Sequence, residues 1–166
     1  GQAAEGAAKG TQTTVTSEII SGFYEKLHNV KLAELVQKNL ELVGGVAYDE
    51  REREFAEAIV KGLNQDISTL KEVQEVKPLE EEKPSLGGGS SDVGDVSWVV
   101  PTISFRTAVF IPGSAGHSWQ NVASSGSTIG TKGLLNAAKV FSLTAIDLDT
   151  NPKLIEAAKT EFEERR

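Results

Sequence analysis

A chain of 166 residues and 17.7 kDa is sized for one ordinary domain or two very small ones. Its 24 acidic side chains outnumber the 17 basic ones, and a formal charge of -7 argues against the basic face that nucleic acid requires. The absence of cysteine excludes a disulfide framework, a thiolate zinc knuckle and a cysteine nucleophile.

The first ten residues carry no basic-then-apolar layout of a signal peptide and read as an alanine-rich helix closed by Gly10. The absence of methionine implies a piece cut from a longer chain. Thr11–Ile20, dense in β-branched residues, predicts a strand. Asn29 is placed to cap a helix over Val30–Val43, whose residues 32, 35, 36, 40 and 43 fall on one apolar face, with Gly44 and Gly45 closing it. A second helix is predicted over Asp49–Asn64, with an acidic first turn and Phe55, Ile59 and Leu63 on its apolar face. Residues 66–91 carry charges, Pro78, Pro84 and a glycine run, and by composition read as a linker.

Beyond it, Val96–Val100 and Ile103–Phe110 are candidate strands, and Ile111–Thr131 is a glycine- and serine-rich loop holding His117 and Trp119. A long apolar helix follows over Lys132–Asp147, and Asn151-Pro152 restarts a charged one running to Arg166. Strands interleaved with helices predict an α/β fold with an incomplete sheet. No apolar run approaches the roughly 20 residues that span a bilayer.

Four features bear on chemistry. Gly87-Gly-Gly-Ser-Ser-Asp-Val-Gly-Asp-Val-Ser-Trp98 is either a flexible spacer or a tight loop placing Asp92 and Asp95 at a strand end, where open α/β sheets bind ligands. In Pro112-Gly-Ser-Ala-Gly-His-Ser-Trp119 the small neighbours leave His117 room to approach a metal or substrate, with Asp92 or Asp95 as acceptor for its other ring nitrogen. The plain alternative is a hydrogen-bonded loop histidine. His28, beside a helix cap and without a carboxylate at ligand spacing, reads as structural. Glu80-Glu-Glu82 lacks the alternate ligands and central glycine of a calcium loop and reads as a solvated segment. No second histidine stands at zinc-site spacing and no Gly-x-Ser-x-Gly elbow occurs, so local chemistry alone leaves the function open.

Those two loops, together with Gly130-Thr-Lys-Gly133, Ala137-Ala-Lys139, Asn39-Leu-Glu-Leu-Val-Gly44, Phe55-Ala56 and Ala4-Glu-Gly-Ala-Ala8, resemble the C-terminal part of the di-metal amidohydrolases and peptidases related to aminoacylase and carboxypeptidase. Within that family the chain looks most like the B-type branch of the aminobenzoyl-glutamate utilisation proteins. The resemblance implies an α/β catalytic domain interrupted by an α+β lid that dimerises, with residues 1–24 ending the lid and 25–166 closing the catalytic domain. It implies two zinc or manganese ions in the full-length protein, a small amide or peptide substrate, a homodimer and a cytoplasmic location. His117 takes the place of a metal ligand, while Asp92 and Asp95 line the site as substrate contacts or hydrogen-bond partners of a ligand. The remaining ligands and the general-base glutamate belong to sequence outside this chain. The isolated piece is therefore expected to hold metal weakly and to hydrolyse nothing. A non-catalytic assembly or binding module of α/β type is the alternative.

Overall fold

A computed structural model describes residues 1–80 and 91–166. Among them the chain is helical: α1 (Gln2–Thr11), α2 (Val30–Val43), α3 (Glu50–Gly62), a 3-10 helix (Ile67–Gln74), α4 (Val93–Ser97), α5 (Trp119–Ser125), α6 (Thr128–Thr150) and α7 (Pro152–Arg165). The described residues contain no strand, which overturns the α/β expectation. A strand is stabilised by its ladder, and β-branched composition supplies only the willingness to extend. Thr11–Ile20 has no regular structure beyond Thr11 and is exposed throughout, with Ile19 and Ile20 more than nine-tenths accessible. Ile103–Phe110 is also irregular, and the main-chain amides of Ile103–Ala108 bond to no other described backbone. Val96–Val100 is not a strand either. Its first residues complete α4, where the Val96 amide donates to the Asp92 carbonyl at 3.2 Å.

The helices α2 and α3 stand where their capping signals put them. Asn29 is buried; its side-chain oxygen accepts from the Leu32 amide at 3.0 Å and its amide nitrogen donates to the Ala158 carbonyl at 2.8 Å. Glu161 of α7 reinforces that end, its carboxylate accepting from the amides of Val30 and Lys31 at 2.9 and 2.8 Å. Asp49 and Glu52 form a reciprocal capping box at the start of α3. The buried face of α3 is Ala56, Ile59 and Val60, whereas Phe55 is more than a third exposed.

Two packed groups share α6. Its first turns enter the core through Ile129, against Val46, Tyr48, Ile59, Val60, Leu70, Val73 and Ile111. Leu70 and Val73 come from the 3-10 helix, so the predicted linker is structured at its start. The predicted loop 111–131 likewise contains α5 and supplies the fully buried Ile111. Farther along, α6 packs on α2 and α7, and the buried Asn39 donates to the Thr144 hydroxyl and the Asp147 carboxylate at 3.1 and 3.0 Å. None of the residues of α1 is buried.

Candidate functional site

The Asp-Val-Gly-Asp segment sits against the irregular backbone of residues 24–27. Three groups from α4 and its end reach across: the Asp95 carboxylate accepts from the Tyr24 amide at 2.9 Å, the Ser97 hydroxyl accepts from the Leu27 amide at 2.8 Å, and the Trp98 indole donates to the Glu25 carbonyl at 2.9 Å. The Trp98 ring also lies 5.5 Å from that of Tyr24. Gly94 permits this approach, since a Cβ there would stand 1.9 Å from the Tyr24 carbonyl oxygen. Gly94→Ala is expected to destabilise the protein by about 2 kcal/mol through overpacking. Hydrogen exchange at Tyr24 and Leu27 tests this, because both amides lose their acceptors if the two segments part.

Asp95 is thus a structural acceptor, and Asp92 is exposed at the start of α4 without capping it through its side chain. His117 is exposed and has φ 57°, a left-handed conformation uncommon for a residue with a side chain. It immediately precedes Ser118, whose side chain accepts from the Asn121 amide and caps α5. Loop residues held in that region carry strain of order 1 kcal/mol, and such strain concentrates at functional positions. His28 is half-buried beside the Asn29 cap, and its carbonyl accepts from Arg165 at 3.1 Å. The Gly87–Ser90 part of the glycine block and Glu81-Glu82 lie outside the described residues.

Among the described residues no three of His, Asp and Glu converge on a position that could hold a metal ion. The described donors therefore do not by themselves fit a two-metal centre, and of the three sequence candidates Asp95 already spends an oxygen on Tyr24.

A cavity of about 280 Å³, absent from the sequence reading, lies between the end of α2, the 3-10 helix and residues 106–108. Leu40, Gly45, Val73, Lys77, Arg106 and Asn136 contribute to its wall. The Asn136 amide is engaged by the Gly44 and Gly45 carbonyls at 3.2 and 3.1 Å, and Lys77 pairs with Glu72 at 2.9 Å. Arg106 makes no ion pair with a described residue, and Glu72 and Glu75 also belong to the wall, so both signs of charge line the cavity. A lone arginine in a β-rich run carries no signal from which this could be read.

Among the described residues the most buried charged side chain belongs to α3. Glu52 is only 5% exposed and is paired with the Lys132 ammonium, which also donates to the Ala47 carbonyl at 3.0 Å. Burial opposes ionisation of Glu52, but hydrogen bonds from Lys132 and the Asp49 amide hold its carboxyl below the ordinary value. Burial and the nearby Glu52 charge push the Tyr48 hydroxyl up to about 12.

In overall class, the chain is similar to a hydrolase, along 97% of its own length. That relative is the B-type subunit of p-aminobenzoyl-glutamate hydrolase from Escherichia coli (strain K12), 28% identical over 183 residues. The match supports the B-type aminobenzoyl-glutamate utilisation branch that the motifs pointed to. The chain spans 38% of that relative's length. No protein-family model and no solved structure matches the chain. No described helix is long and apolar enough to cross a membrane.

Proposed function

We propose that this chain is one part of an amide-cleaving hydrolase acting on p-aminobenzoyl-glutamate or a related N-acyl amino acid, within a multi-subunit assembly. The observation that carries the reading is the likeness to the Escherichia coli hydrolase along nearly the whole chain. Metal dependence is part of the proposal, with His117 contributing one donor and the others coming from polypeptide outside this chain. The strained, exposed placement of His117 among small residues supports that role. On this reading the site is divided between this chain and that polypeptide, and the described residues by themselves bring together no set of donors for a metal ion.

The isolated chain, incubated with p-aminobenzoyl-glutamate and either zinc or manganese, is expected to release no p-aminobenzoate. A chimera of the Escherichia coli relative, with its matching segment replaced by this chain, is expected to release it. His117→Ala in that chimera should abolish release. Unchanged release by this variant removes His117 from the site, and turnover by the isolated chain overturns the division of the site between two segments.

A further inference from the structure

The exposed side of α6 is apolar along most of the helix. Leu134, Leu135, Phe141 and Ile146 are 67%, 54%, 67% and 58% accessible, and Ala138 and Ala145 between them are exposed too. At about 100° per residue these six occupy an arc of about 140°, inside which Ser142 is the exposed polar residue. The opposite side is already used: Gly133 and Val140 are buried, and Thr144 and Asp147 bond to Asn39 of α2. One side of α6 is thus already packed, and an exposed apolar strip of this length along the other marks an interaction surface.

We infer that the Leu134–Ile146 face of α6 is a docking surface for the part of a B-type hydrolase polypeptide that this chain does not span. This rests on the proposed function only in taking the partner from that branch. The chain accounts for 38% of the relative's length, which leaves the larger part of such a polypeptide to cover the face. A second copy of this chain is disfavoured by charge, because it would bring a net -7 against -7. Phe105, its ring 4.9 Å from that of Phe141, extends the apolar surface beyond the helix.

The chain has no native cysteine, so single introduced thiols report the surface cleanly. Leu135→Cys, Ile146→Cys and the control Lys61→Cys are compared in the isolated chain and in the chimera described above, reading maleimide labelling by peptide mass. Labelling at 135 and 146 is expected to slow at least ten-fold in the chimera and to stay the same at 61. Equal rates at 135 and 146 in both settings overturn the inference. So does protection of 135 and 146 in the isolated chain, together with a sedimentation mass twice 17.7 kDa, because a second copy is then the occupant. Should the chimera be insoluble, the remaining part of the relative is co-expressed as a separate polypeptide: co-purification with protection at 135 and 146 supports the surface, and failure to co-purify overturns it. Protection without p-aminobenzoate release keeps this surface and sinks the hydrolytic reading; release without protection does the reverse.

Discussion

Lys132→Met is expected to lower the unfolding free energy by about 3 kcal/mol at neutral pH, because it strips the counter-charge from a carboxylate with almost no access to water. The figure is at the low end for a broken buried pair because the Lys132 side chain is itself 39% exposed and water screens it. Glu52→Gln in the same background should recover part of the loss, since a neutral amide needs no cation. The pH dependence carries a definite sign. The folded-state carboxyl is held below its ordinary value, so its contribution is present above the unfolded pKa and is lost as pH falls through the folded one. In Lys132→Met the opposing effect of burial gains weight, and the acid limb of the stability profile should move to higher pH. Urea denaturation between about pH 2 and about pH 8, spanning the carboxylate range on both sides, measures both effects. An unchanged midpoint at neutral pH contradicts the role given to the pair.

Asn29→Ala is expected to cost about 2 kcal/mol: about 1 for the lost cap on α2 and about 1 for the buried hydrogen bond to Ala158. For a chain of this size that corresponds to a fall in Tm of roughly 4–8 °C, read by circular dichroism. Asn29→Asp separates the two parts. It keeps an acceptor for the Leu32 amide and removes the donor to Ala158, so about half the loss should remain. A full loss in Asn29→Asp would locate the whole effect in the link between α2 and α7.

Some helix ends were legible from a single side chain, although Ser118 and Ser127, which cap α5 and α6, stood in a segment that reads as a loop. Asn29, Asp49 and Asn151-Pro152 stand within a residue of the observed starts of α2, α3 and α7. These signals act within one turn, which is why they survive in isolation. Strands depend on partners distant in sequence, and the β-branched runs at Thr11–Ile20 and Ile103–Phe110 find none among the described residues. Val96–Val100 misled for another reason: its apolar side chains do not form a core, and Val99 is 75% exposed. The Asp-Val-Gly-Asp block was conspicuous in sequence, but its grip on residues 24–27 joins positions some 70 apart and could not be seen there. Gly133 is similar. Alanine is the better helix former by about 1 kcal/mol, yet a Cβ at that position would meet the Ala108 carbonyl oxygen at 2.5 Å. Of the candidate site, His117 was visible as the loop histidine, while the Arg106 cavity required the fold.

The first helix draws its order from no neighbour: Gln2–Thr11 buries nothing and is followed by an exposed stretch that is next tied down at Tyr24, by the Asp95 carboxylate of α4. A ten-residue helix standing alone is only marginally populated in water. Its melting therefore spreads gradually over temperature instead of joining the cooperative transition. In far-ultraviolet spectra, part of the ellipticity drains away as a sloping baseline before the packed helices give way.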